Sequence, residues 1–260
     1  MAPLEFESET AKNLEAAYRR RDVIRRRELV REGLAAQAGE RILDVGCGLG
    51  FYLTELADEV GPDGAVTGID RSEQMLAYAK EKIAGMPNAS LLVGEATELP
   101  VPDASFDAAI SVQVLEYVAD LEAALAELYR ALRPGGRAVL WDVDWHSLAW
   151  HSEDPARMRD ALAAWDAHLA HPALPRTLAS SLRDAGFAEP EMTGHTFTTL
   201  SLDPESYAAI GMPLIKDFIA AVESFGPERA EAWADEQREL DARGDFFFSA
   251  VQYRFVATRP

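Results

Sequence analysis

The chain has 260 residues, 48% of them hydrophobic, a formal net charge of −19 and a single cysteine. That length and apolar content can bury a real core, so one large domain, or one domain with a modest insertion, is expected in place of disorder. The acidic excess argues against nucleic acid as a partner, because such affinity comes from cations that displace counterions from phosphates; a small-molecule partner is expected.

Residues 1–10 are acidic and lack the positive stretch that opens an export signal, and no apolar run approaches the roughly 20 residues needed to span a bilayer. A cytoplasmic protein with no membrane span is expected. Residues 10–37 have helical apolar spacing, and Arg19, Arg20, Arg21, Arg25, Arg26, Arg27 and Arg31 crowd that stretch. The run reads as a solvated helix face in preference to an anion-binding or lid element. Gly39 stops the helix, and a short strand over Arg41–Val45 runs into a glycine-rich turn. A helix over 50–60, a turn at Gly61-Pro62-Asp63-Gly64, a strand over 65–69, a helix capped by Ser72 and reaching about residue 84, and a strand over 89–93 follow. The alternation continues with a strand over 104–112, a helix over 121–132, a stop at Arg133-Pro134-Gly135-Gly136 and a strand over 137–143.

Strands spaced by helix-length segments predict an α/β fold, a doubly wound, Rossmann-like, mostly parallel sheet covered on both faces. Helical stretches at 155–170 and 175–186, a strand over 191–200, helix-period residues over 204–243 and an aromatic strand over 246–258 complete the chain. The sequence has no internal repeat and no low-complexity linker. One domain is therefore expected: an N-terminal helical segment (1–38), a central core (39–145), and a remainder (146–260). The remainder carries a helical insertion before the last strand, at about 203–244, which reads as a substrate cap.

The most informative stretch is Leu43-Asp44-Val45-Gly46-Cys47-Gly48-Leu49-Gly50, a strand entering three closely spaced glycines and then a helix. Glycine lets backbone approach a ligand and turn where a side chain would clash. The dinucleotide fingerprint G-x-G-x-x-G fails in both registers, since Phe51 or Leu53 falls at its last position. A nicotinamide-dependent oxidoreductase is thereby disfavoured. Asp70, about twenty residues past the loop at the end of the second strand, can accept both hydrogens of a ribose diol, although capping the next helix with Ser72 is an equally ordinary use of an aspartate.

These residues, with Gly68-Ile69-Asp70-Arg71-Ser72, Met75-Leu76, Gly94-Glu95-Ala96, Leu99-Pro100, Ser105-Phe106-Asp107 and Leu132-Arg133-Pro134-Gly135-Gly136, stand in the order found in class I S-adenosylmethionine-dependent methyltransferases. Over about residues 41–143 the chain resembles the ubiquinone/menaquinone-biosynthesis-type superfamily (methyltransferase type 11 domain). The resemblance implies S-adenosyl-L-methionine as cofactor. It places Gly46, Gly48 and Gly50 at the methionine part, Asp70 at the ribose, Glu95 and Ala96 at the adenine, and Val112 and Gln113 at the methionine amino group, with Asp44, Arg71, Ser72 and Met75 as further cofactor-binding residues. The family usually has aspartate at the position of Glu95. Cys47 reads as packing between glycines in preference to a nucleophile.

For the acceptor, ligands of such sheets bind beyond the carboxyl ends of the strands, which singles out the segment after the fifth strand. It holds Asp142, Asp144, Trp145, His146, Trp150 and His151. Histidine as a residue type can take a proton from an acceptor, so His146 is the candidate catalytic base, with Trp145 and Tyr18 as further substrate residues, Tyr18 closing over the site from the N-terminal helix. The bland readings are a surface histidine, core tryptophans and a half-buried tyrosine. His168, His171 and His195 lack zinc-site spacing, and no metal is expected. The expected reaction is in-line methyl transfer to a small molecule with release of S-adenosylhomocysteine; the alternative is a cofactor-fold protein that binds S-adenosylmethionine but catalyses something else or only binds. The acceptor atom and the oligomeric state stay open.

Overall fold

The computed structural model describes residues 15–260. Residues 15–18 are helical, and after a break at 19–20 comes α1 (Arg21–Leu34), which Ala35 ends by turning left-handed (φ 48°). The helix expected over 10–37 is thus interrupted, and its residues 10–14 lie outside the described ones. Next come β1 (Arg41–Val45), α2 (Phe51–Val60), β2 (Ala65–Asp70), α3 (Glu73–Lys82), β3 (Ala89–Val93), β4 (Phe106–Val112), α4 (Leu121–Ala131) and β5 (Leu132–Val143). The C-terminal part adds β6 (Ala149–Trp150), α5 (Pro155–Trp165), α6 (Pro175–Asp184), β7 (Glu191–Thr199), α7 (Tyr207–Ala220), α8 (Pro227–Arg243) and β8 (Phe248–Thr258). The helix-period stretch over 204–243 is two helices, because the chain turns at Gly226 (φ 83°) and restarts at Pro227.

The eight strands form one sheet in the order β3-β2-β1-β4-β5-β8-β6, with β7 also paired to β8. Strands β1 to β5 are parallel. β8 runs antiparallel to β5 and β7, and the short β6 continues the β5 side of β8. Strand order reverses between β1 and β4, so the crevice beyond their carboxyl ends is where an open α/β sheet takes its ligand.

On one face, α4 and α6 pack Leu125, Leu128, Leu178 and Leu182 against Leu43, Leu140 and Phe255. On the other, α1, α2 and α3 pack Val30, Leu34, Leu53, Leu56 and Leu76 against Ile42, Ile110, Val139 and Trp141. Burial on both faces explains why these strands read as almost unbroken apolar runs; each buried aliphatic or aromatic side chain contributes about 1.5–3 kcal/mol. A third cluster joins α5, α7 and α8 through Trp150, Trp165, Trp233, Phe246 and Phe248, so the insertion packs on α5 and the start of β8. Its entry is also tied to α1: Tyr207 N–H donates to Asp22 Oδ2 and Arg21 N–H to Glu205 Oε2, both at 3.0 Å. Among the described residues no helix is long and apolar enough to cross a membrane.

Candidate functional site

The turn after β1 is shaped by three glycines with positive φ: Gly46 (77°), Gly48 (50°) and Gly50 (75°). They serve different ends. A Cβ on Gly46 would lie 2.2 Å from Val114 Cγ2, so this glycine is required by packing, whereas one on Gly48 would meet nothing within 4 Å. Gly48 N–H donates to Asp70 Oδ2 at 2.8 Å, and Ser72 N–H donates to Asp70 Oδ1 at 2.9 Å, so Asp70 pins the loop to the start of α3. Ser72 caps that helix, accepting from Met75 N–H. Cys47 is buried against Gly68, and burial pushes its thiol up, which removes it as a nucleophile and bears out packing. Asp44, 2% exposed beneath the loop, has Oδ2 buried without a partner among the described residues. Burial, and then the charge of Asp70, pushes its carboxyl up to about 8.

Beyond the ends of β4 and β5 lies a second set of buried polar groups. Gln113 takes positive φ (54°) as it leaves β4, and its side-chain oxygen accepts a hydrogen bond from Arg26 Nη1. Arg26, 2% exposed, leaves Nε and Nη2 without partners among the described residues. Its electrostatic neighbours include the phenols of Tyr18, Tyr52 and Tyr207 and the carboxyl of Glu116, and its guanidinium sits 5.3 Å from the centre of the Tyr18 ring. Glu116 and Asp142 are both 0% exposed. Glu116 Oε2 accepts from the Trp145 indole at 2.9 Å, while Glu116 Oε1 and both oxygens of Asp142 have no partner among the described residues. Burial pushes Glu116 up to about 7 against the bonds from Trp145 and Val143, and burial followed by the Glu116 charge pushes Asp142 well up. Native interiors pair most buried polar atoms. Among the described residues several buried polar atoms without a partner gather at one end of the sheet, from Asp44 through Tyr52 and Arg26 to Glu116 and Asp142, an arrangement compatible with a polar ligand.

Residues 43–140 match the family model for a methyltransferase domain. The chain has the class I S-adenosylmethionine-dependent methyltransferase fold, and it is related to the menaquinone-methyltransferase-type superfamily. It is 33% identical over 232 residues to an uncharacterized 37.1 kDa protein in transposon TN4556 of Streptomyces fradiae, covering 87% of this chain and 64% of that one. It is 45% identical over 113 residues to the demethylmenaquinone methyltransferase of Staphylococcus aureus, covering 44% of this chain and 47% of that one. The chain therefore spans less than two thirds of the length of these relatives. The fold is shared with phosphoethanolamine N-methyltransferase 2 of Haemonchus contortus, solved with phosphomonomethylethanolamine and S-adenosylhomocysteine. The TM-score is 0.64 at 17% identity, over 99% of this chain and 58% of that one.

Within this methyltransferase fold, Asp44, Gly46, Gly48, Gly50, Asp70, Ser72 and Met75 gather around one loop, and Val112 and Gln113 stand at the adjoining strand end. Arg71 and Glu95 are exposed, and Ala96 packs on the edge of the core. Tyr18 stacks on Phe51, at the start of α2, with centroids 5.1 Å apart. His146 is not brought into this group. A turn at Trp145–Ser147, held by Ser147 Oγ donating to the Asp144 carbonyl at 2.6 Å, sends its ring outward. There Nε2 lies 3.0 Å from Asp166 Oδ2 in a cleft of about 610 Å³ that includes none of the glycine loop, Asp70 or Gln113. Trp145 lines that cleft too, and its bond to Glu116 makes it the wall between cleft and buried carboxyls. His195 stacks on Trp141 (4.9 Å) on the α1 side of the sheet.

The arginine run also needs correction. Arg19, Arg20, Arg21, Arg25 and Arg31 do form ion pairs on the outer side of the helical segment, yet Arg26 and Arg27 are buried. A signal existed: Arg26 and Arg27 fall on the helical stripe of Val23, Val30 and Leu34, all buried. Glu116, between two apolar neighbours in a short turn, carried no comparable mark.

Proposed function

We propose that this chain transfers the methyl group of S-adenosylmethionine to a small-molecule acceptor and releases S-adenosylhomocysteine. The observation that carries this reading is the junction of an open glycine loop with two buried polar sets that keep atoms without partners among the described residues, Asp44 on one side and Arg26, Glu116 and Asp142 on the other. The donor set fits the cofactor. Gly48 leaves room for close approach, Asp70 keeps lone pairs for a ribose diol, and the unpartnered Asp44 Oδ2 suits an ammonium. Bound there, the sulfonium supplies an activated methyl group, so the protein has chiefly to align the acceptor and exclude water.

The acceptor would lie beside Glu116 and Asp142, beneath the cap formed by α7 and α8 on α5. Glu116, held at about 7 by burial with Oε1 unpartnered, is better matched than His146 to take a proton from an acceptor hydroxyl or amine. Glu116 and Asp142 form a buried pair in which the charge of one opposes the ionisation of the other, so a proton arriving at Glu116 is readily held. A quinol, as the demethylmenaquinone relative suggests, and an amine, as the phosphoethanolamine enzyme suggests, both offer such a proton. The acidic chain and the lone, buried Cys47 support a small acceptor and a cytoplasmic site of action.

Titration calorimetry with S-adenosylmethionine, S-adenosylhomocysteine and NAD is expected to give binding of the first two only. Tight NAD binding with none of S-adenosylhomocysteine would overturn the reading. Incubation with panels of phenols, quinols and amines should then release S-adenosylhomocysteine; intact cofactor throughout would leave a protein that only binds. Asp70→Ala is expected to weaken S-adenosylhomocysteine by about 1–3 kcal/mol, since charge-assisted bonds to the ribose would be lost. Unchanged affinity in a folded variant would return Asp70 to its loop-pinning role alone.

A further inference from the structure

We propose that two copies of this chain pair through the free edge of β7, antiparallel and about a dyad at Thr196, so that their sheets join into one.

β7 is nine residues long and, among the described residues, pairs with β8 alone. Thr196 stands opposite Val251 of β8, whose backbone groups are both engaged on the far side of that strand. Val251 N–H donates to Ser147 Oγ at 3.0 Å, and its carbonyl accepts from Asp144 N–H at 3.2 Å. Thr258, of opposite parity on β8, turns the other way, its carbonyl accepting from Ala188 N–H just before β7. Backbone groups alternate sides along a strand, so Thr196 presents its N–H and C=O away from β8, and Met192, Gly194 and Thr198 do the same.

Such a row of free donors and acceptors is ordinarily blunted by lysine, proline or a very short strand. Residues 192–200 contain no lysine, arginine, acid or proline, in a chain whose net charge is −19. Burial holds the His195 imidazole below its ordinary value, so the segment is neutral. This is therefore a place where two acidic copies can approach. The opposite edge, β3, is only five residues long and offers a shorter row.

The residue pattern selects a second copy of the same strand. About a dyad at Thr196, Met192 lies opposite Leu200 of the partner subunit, Gly194 opposite Thr198, and Thr196 opposite itself. These residues share one parity, so the pairs are the hydrogen-bonded kind and their side chains lie on one face. That face is uncovered along β7, with Met192 56% exposed and Leu200, directly after the strand, 73% exposed. The dyad lays one on the other on each side of the axis, and threonine meets threonine at its centre. Glu191 falls opposite Ser201, so no like charges meet. The contact is isologous, closes at two copies and leaves neither β7 edge free. β8 and β5 separate it from the crevice at β1 and β4.

Sedimentation velocity of the full chain over concentrations rising into the high micromolar range is expected to show a monomer–dimer equilibrium. Thr196→Lys sets two ammonium groups opposite each other and should raise the dissociation constant about fivefold or more. Thr196→Pro removes an N–H that β8 does not use and should abolish the dimer; the lysine variant serves if the proline variant fails to fold. Register is read by Thr196→Cys and Thr198→Cys with a short thiol-to-thiol cross-linker, Cys47 being buried. Across the dyad the Cα atoms lie about 5.5 Å apart at position 196 and roughly 14 Å apart at 198, so only Thr196→Cys should give a covalent dimer. A wild type that stays monomeric throughout, a dimer indifferent to Thr196→Lys, or equal cross-linking at both positions would each overturn the proposal. The methyltransferase reading stands apart from all three.

Discussion

Gly46→Ala is expected to lower the melting temperature by roughly 10 °C and to abolish measurable S-adenosylhomocysteine binding. The new methyl would lie 2.2 Å from Val114 Cγ2 and 2.9 Å from Val114 Cγ1, on a residue at φ 77° where an L side chain is strained. The left-handed conformation costs about 1–2 kcal/mol and the overlap about 1–3 kcal/mol more. Val114→Ala in the same chain should return part of the stability, because it relieves the overlap but leaves the dihedral. Gly48→Ala provides the contrast, since its Cβ would meet nothing within 4 Å. It should cost the fold only about 1–2 kcal/mol for its dihedral yet weaken cofactor binding at least roughly tenfold, because that side of the loop is the one left open for a ligand. Equal melting temperatures for Gly46→Ala and the wild type would show that the loop yields more easily than its packing implies.

Asp142→Asn should stabilise the protein at pH 8 by about 2 kcal/mol relative to its effect at pH 4.5, where it should be neutral or mildly destabilising. Burial, and then the charge of Glu116, raises the folded-state Asp142 carboxyl well above its unfolded value. Between those values the folded protein keeps a proton that the unfolded chain has released, so stability falls as pH rises, by at most about 1.4 kcal/mol per unit for each such group. Glu116 behaves likewise up to about pH 7 and Asp44 up to about pH 8. An asparagine removes the Asp142 contribution and lets Glu116 ionise more freely, at the expense of an amide that finds no better partners than the carboxyl had. The depressed carboxylates Glu40, Glu127 and Glu236 lose their contribution only as pH falls through their lowered values, in wild type and variant alike. Urea denaturation at pH 4.5, 6 and 8 measures the difference. A stability offset that stays constant across the series would mean that Asp142 is already ionised in the folded protein.

Local chemistry determined the frame of this protein. The strands expected over 41–45 and 89–93 are β1 and β3 residue for residue, because a short apolar run between turn residues admits little else. The glycine loop was equally legible, since its turn depends on residues adjacent in the chain. Where each charged group would be buried was decided only by the tertiary structure. Arg26 and Arg25 are chemically identical neighbours on one helix, and which of them is buried depends on the direction in which α1 meets the ends of β4 and β5. Glu116 and Asp142 become a pair because parallel β4 and β5 end side by side, a relation that pattern along the chain does not express. His146 shows the converse: its place after β5 suggested the ligand crevice, but the turn at Trp145–Ser147 aims it at Asp166 on the outer side. Period and turn chemistry are properties of neighbours in sequence, whereas burial, charge pairing and the direction of a side chain are properties of neighbours in space.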